Sequence, residues 1–284
     1  MSETDLSRER FRLINVLCIV LIGFMHAGCA GPKKQPEHPC GQSSFNVKVM
    51  SFNIAGDMDD DQWQQRMHEV ARIIAGEKPD VIGFQEAFLG NFKIIQAEVP
   101  GYAYYGLNEM GHDDDKDESL RLFYRTDRWA VDEDDSGIFW YTRTPDVAGS
   151  KDWEALWIRD CVYARLVDKQ TGDAFYLFNS HWSYASQLSR DNSAHLMVQK
   201  IKNRKHLNPF LATGDYNARK GDSSIHYLLE AKDNPLPMET VVHNRVDWIF
   251  AQAGQFEVVE AKVVENDEAS DHHAIVAEVK LYVK

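Results

Sequence analysis

Residues 46–54 (Asn-Val-Lys-Val-Met-Ser-Phe-Asn-Ile) alternate between the two faces of an extended chain, the period of a strand. Trp63, Met67, Val70 and Ile74 then recur at helical spacing, and Pro79 stops that helix. Val81-Ile-Gly-Phe84 is a short apolar strand that delivers Gln85-Glu86, and residues 92–99 read as a second helix. Further strands are expected at 102–107, 120–125, 138–141 and 160–167. The last of these turns at Lys169-Gln-Thr-Gly172 into a hairpin partner at 174–180. Residues 187–204 place Leu188, Leu196, Met197 and Ile201 on an amphipathic helix. A strand at 209–214, a short helix at 223–230 and strands at 245–251, 256–264 and 274–283 complete the chain. Many strands joined mainly as hairpins, with few and separated helices, predict two packed sheets with helices outside. A doubly wound parallel sheet would need a helix after nearly every strand.

Composition adds a size and a charge. The 284 residues are 44% hydrophobic, enough for a large core, and no linker or repeat divides them. One catalytic-size domain over 45–284 is expected. The net charge of −13 works against a sequence-independent grip on nucleic acid, which needs Lys and Arg against phosphate. A local basic rim and a metal ion can offset that field.

The N-terminus has its own layout. Arg8, Arg10 and Arg12 precede an apolar run, Leu13 to Met25, too short to span a bilayer as a free helix, and Ala27-Gly28 lead into Cys29. This is the layout of a secretory signal over 1–29, and it resembles the bacterial lipoprotein type, in which Cys29 becomes the lipidated first residue. An ordinary cleaved signal or a short anchor is the alternative. Ala30 in place of Asp resembles lipoproteins sent to the outer membrane. Residues 30–44, with Pro32, Pro36 and Pro39, read as a tether. The expected location is therefore outside the cytoplasm, lipid-anchored to a bacterial outer membrane or cell surface. Cys161, in an apolar strand, is expected as a buried thiol rather than a disulfide partner of Cys40.

Polar residues stand at five strand ends: Asn53, Glu86, His181, Asp215 with Asn217 after Gly214, and Asp271-His272. Loops at one edge of a rigid scaffold are where catalytic groups collect. Taken singly, each has a plain structural use as a turn former, a helix-start charge or a rim histidine. A carboxylate and a carboxamide two residues apart, followed some fifty residues later by Asp-His, suit a hard metal ion and a phosphate.

In this order the residues resemble the endonuclease/exonuclease/phosphatase superfamily, over 46–283. Val49-Met-Ser-Phe-Asn-Ile is similar to its first strand, Asp80-Val-Ile-Gly-Phe-Gln-Glu86 to its metal-carboxylate motif, and Thr213-Gly-Asp-Tyr-Asn-Ala to its Gly-Asp-Phe-Asn motif. Val246-Asp-Trp-Ile-Phe and Ser270-Asp-His resemble the last two. The resemblance implies an α/β four-layer sandwich, two packed, mostly antiparallel sheets flanked by helices. It implies that Glu118 orients His181, that Asp247 orients His272 and that Arg159 contacts the scissile phosphate. Gly137-Ile-Phe-Trp, Thr144-Pro145 and Trp153 are also similar to a large bacterial, endonuclease-like branch. That branch shows Asn-Thr-His-Leu-Asp-His where this chain has Asn179-Ser-His-Trp-Ser-Tyr184, and a longer loop between Leu229 and Val246.

The chemistry expected of these residues is hydrolysis of a phosphoester. Glu86 is the primary candidate ligand for Mg²⁺ (Mn²⁺ or Ca²⁺ as alternatives), with Asn53 and Asp271 secondary. Asp215 and Asn217 would position the attacking water and a phosphate oxygen. His181 and His272, each with its carboxylate, would divide acid/base chemistry and contact with developing charge. Arg159, Asn217 and His181 would hold phosphate. Trp182 and Tyr184 are candidates to stack on a base or sugar, whereas Phe139, Trp140, Tyr141, Trp153 and Trp157 read as packing. The acidic stretch His112–Glu118 reads as a solvated hairpin tip, with a calcium site as the alternative. A phosphodiesterase or nuclease is the leading expectation. Hydrolysis of phospholipid headgroups, sugar phosphates or nucleotides is a second, and a binding-only surface lipoprotein a third. The expected partners are thus a phosphoester, nucleic acid or small, and a membrane reached through Cys29.

Overall fold

The first strand, β1 (Ser44–Asn53), sends Val47 and Val49 to one face and Met50 and Phe52 to the other, and all four are buried. A strand buried on both faces needs a layer on each side. The computed structural model describes residues 43–56, 62–266 and 268–283 and supplies both layers. The expected signal 1–29, Cys40 and all of the tether except Ser43 and Ser44 lie outside the described residues. Ser44 is already paired with Tyr282.

After β1, α1 (Trp63–Glu77) ends at left-handed Lys78 and leads into β2 (Val81–Ala87). Then come α2 (Leu89–Glu98), β3 (Tyr102–Tyr105), β4 (Ser119–Arg125), β5 (Trp129–Trp140), β6 (Asp160–Asp168) and β7 (Ala174–His181). The chain continues through α3 (Gln187–Lys202), β8 (Phe210–Asp215), α4 (Ser223–Glu230), β9 (Met238–Asn244), β10 (Asp247–Gln252), β11 (Phe256–Val264) and β12 (Ala274–Tyr282). One sheet runs β11-β12-β1-β2-β4-β3 and the other β5-β6-β7-β8-β10-β9. With helices packed outside both, this is the expected four-layer α/β sandwich.

The sheets are mixed rather than wholly hairpin-built. β1 and β2 are parallel, as are β7 and β8, and each pair is joined by a crossover helix, α1 or α3. Two strands escape the sequence pattern. β5 begins at Trp129, but Asp132–Asp135 hide its first half, where the register with β6 shifts between Asp132 and Gly137. β9 is an edge strand behind Pro235 and Pro237, in the segment expected to be only a short loop.

Alternation explains where the site sits. The positions of β1, β2, β7, β8 and β10 that face the other sheet begin as an apolar core of Val47, Val49, Val81, Leu177, Leu211 and Ile249. One step toward the C-terminal ends of the parallel strands this core becomes a layer of amides and hydroxyls. Gln85 Nε2 donates to Asn179 Oδ1 (2.6 Å), Thr213 Oγ1 donates to the same oxygen (3.1 Å), and Asn179 Nδ2 donates to Phe84 O (2.7 Å). The two bonds between Asn179 and β2 tie one sheet to the other. Gly83 is required here, since a Cβ would clash with Asn179 and Thr213. One step further the same faces present Asn53, His181, Asp215 and Asp247.

Candidate active site

His181 is the last inward residue of β7, Asp215 the last of β8, and these two are register partners. Asp247, the first residue of β10, pairs with Asp215 from the other side. Glu86 needs a special device. Strand alternation would send it outward with Ile82 and Phe84, but its φ is +52° and the β2–β4 register shifts between Phe84 and Ala87. The bulge re-aims the carboxylate toward Asn53, whose Nδ2 donates to Glu86 Oε1 (2.8 Å) and Asp215 Oδ2 (3.2 Å). In Gly214-Asp-Tyr-Asn217, a Cβ on Gly214 would strike the Ser180 backbone, and Tyr216 is a packing residue, 4.7 Å from the Trp182 ring. Asn217 takes a left-handed φ of +47°. Its backbone N–H donates to Asp215 Oδ1 (2.8 Å) and its Nδ2 donates to Trp182 O (2.9 Å), which locks the turn.

Two imidazole–carboxylate pairs face one another across Asp215. His272 Nδ1 lies 3.0 Å from both oxygens of Asp247, and His181 Nδ1 lies 3.2 Å from Glu118 Oε1. The two Nε2 atoms are 3.8 Å (His272) and 3.7 Å (His181) from Asp215 Oδ2, and His181 Nε2 is also 3.7 Å from Glu86 Oε1. Burial opposes a charge on His272. The Asp247 hydrogen bond and the charges of Asp247, Asp215 and Asp271 outweigh it and raise the imidazole to about 9. Burial, aided by Asp215, pushes Asp247 to about 6, so the pair keeps its proton on His272 at neutral pH. Burial likewise works against the Glu118 carboxylate, but the His181 hydrogen bond and the charges of His181 and Arg159 prevail and lower its pKa.

Arg159 is buried on the Nδ1 side of His181. Its Nη1 is 3.1 Å from that nitrogen and 3.9 Å from Glu118 Oε1. An ionised carboxylate is the stronger acceptor, so Nδ1–H points to Glu118 and the guanidinium braces the pair from behind. Sequence reasoning missed two neighbours. Asp160 continues the β6–β7 register to stand across from His181; it is buried, and its Oδ2 has no partner. Burial and then the charge of Glu118 push Asp160 up to about 7 and Glu109 to about 8. Only the cross-strand register could have pointed to Asp160.

Several expectations change. Trp182 is fully buried in the α3-side core and cannot stack on a substrate, whereas Trp157 and Tyr184 are 60% and 57% exposed. Asp271 is exposed at the rim, outside the two close groups Glu86–His181–Asp215 and Asp215–Asp247–His272. The acidic stretch is no free hairpin tip. Asp113 pairs with fully buried Arg121 (2.9 Å), Asp114 accepts from Asn108 (2.8 Å), and Asp115 accepts from the Gly90 N–H at the start of α2. Cys161 is the expected buried free thiol, pushed up to about 12 by burial. A further Asp132–Asp135–His206 group lies on β5 and beyond α3, but Arg165 already pairs with Asp132 and Tyr176 donates to Asp135.

The donor set suits a hard divalent cation. Glu86, Asp215 and His181 converge within 4.8 Å, the carboxylates separated by one amide. Asn53 here turns its nitrogen to both carboxylates while its Oδ1 accepts from Ala55 N (3.1 Å). Ligation through oxygen would require rotation of that amide.

Comparisons with known proteins agree with this fold. The model of the endonuclease/exonuclease/phosphatase family matches residues 50–272. No curated protein sequence matches the chain. Among solved structures, an endonuclease/exonuclease/phosphatase from Bacteroides vulgatus is 27% identical, covers 84% of this chain and 99% of its own, and superposes with a TM-score of 0.76. A Bacteroides thetaiotaomicron family member is 26% identical over 84% and 99% of the two chains (TM-score 0.69). A mannosyl-6-phosphatase from the same species is 27% identical over 82% and 99% (TM-score 0.67). The family match spans most of the chain and contains Glu86, His181, Asp215, Asp247 and His272, and the chain belongs to the endonuclease/exonuclease/phosphatase family, whose members hydrolyse phosphoesters.

Proposed function

We propose that the protein is a divalent-metal-dependent phosphoester hydrolase acting on a small phosphorylated molecule. The observation that carries this reading is Asp215 Oδ2 set between two imidazole Nε2 atoms, at 3.7 and 3.8 Å, each ring held from behind by a carboxylate. Glu86 would hold Mg²⁺, with Asn53 and Asp271 as further oxygen donors, and the ion would neutralise phosphate charge. Asp215, aligned by the Asn217 N–H, orients the attacking water and takes its proton. His272 holds a proton on the Nε2 that faces the same point and gives it to the leaving oxygen. His181 Nε2 and Asn217 contact the phosphate oxygens, while Arg159 and Glu118 fix the ring of His181.

The small substrate is supported by the net charge of −13 and by a cavity of about 490 Å³ beside His272. The likeness to the mannosyl-6-phosphatase supports it as well. A phosphodiesterase or nuclease is the second reading. It is favoured by exposed Trp157 and Tyr184, on the segments that lead to Arg159 and away from His181, where bases could stack. Product release from plasmid DNA, a chromogenic phosphodiester, a chromogenic phosphomonoester, sugar phosphates and sphingomyelin, with Mg²⁺, Mn²⁺ or Ca²⁺ and with EDTA, decides between them. No turnover of any ester with any ion would leave a binding-only lipoprotein and sink the hydrolase.

A further inference from the structure

The cavity on the His272 side is walled by the β9–β10 hairpin. Asn244 pairs with Asp247, which leaves Arg245 and Val246 as a two-residue tip. Val246 O accepts from Tyr216 N (3.0 Å), so the tip is fastened to the turn that carries Asp215 and Asn217. Arg245 holds a left-handed φ of +56°, where glycine or asparagine is the usual occupant. It is exposed, it lines the cavity, and its guanidinium has no ion pair or hydrogen bond among the described residues. In a chain with 44 acids against 31 bases, an unpaired arginine two residues from Asp247 is an unused recognition group.

The other walls present both donors and acceptors. His273 Nδ1 accepts from Asn266 N (3.3 Å), which leaves Nε2–H to donate. Asn217 gives one Nδ2–H to Trp182 O, keeps the second to donate and keeps Oδ1 as an acceptor. Asn244 offers both functions, and Asp271 accepts only. A second anion would gain from Arg245 but meet the Asp271 carboxylate. Vicinal hydroxyls satisfy both, because each donates and accepts. About 490 Å³ lies within the range of roughly 300–1,000 Å³ typical of small-molecule sites.

We propose that this cavity is a subsite for a polyhydroxylated leaving group, a sugar or polyol, with Arg245 as its selectivity-determining residue. The inference rests on the phosphoester-hydrolase reading above. In the reaction, the ester oxygen departs toward His272 carrying its polyol into the cavity, where Arg245, His273 and Asn244 hold the hydroxyls.

The test compares kcat/KM for hexose 6-phosphates, a hexose bisphosphate and p-nitrophenyl phosphate, in the wild type and in Arg245→Ala. Alanine keeps the Cβ and the same backbone demand; Arg245→Asn, which tolerates left-handed φ, is the second variant. The ratio of hexose 6-phosphate to p-nitrophenyl phosphate should fall about tenfold or more in both, the scale of charge-assisted hydrogen bonds lost. Deoxy sugars should lose less in the variants than in the wild type. An unchanged ratio, or a loss confined to the bisphosphate, overturns the polyol subsite while the hydrolase stands. A wild type that cleaves none of these esters overturns both.

Discussion

Asp247→Asn removes a charge and keeps a hydrogen bond, because the amide oxygen still accepts from His272 Nδ1–H. In the wild type this imidazole is raised from 6.5 to about 9, a preference for the charged ring worth about 3 kcal/mol. Burial acts downward, so without Asp247 only Asp215 and Asp271 oppose it, and the pKa should return to about 6.5 or below. A group raised above its unfolded value stabilises the fold fully below pH 6.5 and loses that contribution as pH rises through about 9. Asp247 contributes with the opposite sign. It is raised from 3.8 to about 6, so keeping it ionised at neutral pH costs about 3 kcal/mol. The two contributions oppose each other, as desolvation and attraction do in buried ion pairs. The variant should melt within a few degrees of the wild type at pH 7, while its His272 ring resonances titrate at least one pH unit lower. If His272 is the proton donor, the falling limb of the pH–rate profile moves to lower pH by the same amount. A His272 midpoint that stays near 9 in Asp247→Asn would refute the assigned cause, and a shifted midpoint with an unmoved limb would refute the role of His272 as acid.

Glu86→Ala should cost more than the roughly 10²-fold seen for groups that only support a metal ligand, and should flatten the Mg²⁺ dependence. Retained Mg²⁺ saturation in that variant would move the ion elsewhere. His181→Ala should lower turnover by about 10²-fold or more. Glu118→Gln should then add little on the His181→Ala background but its full cost on a His272→Ala background, and equal costs on both would break the Glu118–His181 pairing. We also propose that Cys29 carries the lipid: Cys29→Ser should abolish metabolic lipid labelling and release the protein from membranes. A variant that remains membrane-bound would make residues 13–25 the anchor.

Asn53, His181 and Asp215 were legible in the pattern and Asp247 only through the family resemblance; one rule places all four. Each ends or begins a strand whose alternation points it at the opposite sheet, and the polar residue interrupts a clear apolar series. Glu86 was legible as a residue but not as a geometry, since nothing local in Phe-Gln-Glu-Ala announces a left-handed turn with a register shift. β5 was half-read because Asp132–Asp135 defeat the alternation where the register with β6 slips. Asp160 could not be singled out, because standing across from His181 depends on how two strands pair. Trp182 and Trp157 exchanged places for the same reason. Hydrophobicity cannot tell which tryptophan the α3 layer covers, and it covers Trp182.

The inward faces also show why substrate is harder to read than chemistry. From Val49 through Ser51 to Asn53, or from Leu177 through Asn179 to His181, the same strand face passes from hydrocarbon to amide to ionisable group. The amide layer carries the energetic burden of that transition: it meets buried polar groups with one another and holds the two sheets in one register beneath the ionic rim. Asp215 can then stand 2% exposed between two imidazoles. A family member 27% identical to this chain superposes on it over 99% of its own length. Arg245, Trp157 and Tyr184 lie outside the frame, on a hairpin tip and two loops where a side chain can change without disturbing a strand. Under the proposed function, selection between a sugar phosphate and a polynucleotide would act on those positions, because the strand ends would hold the metal, water and proton.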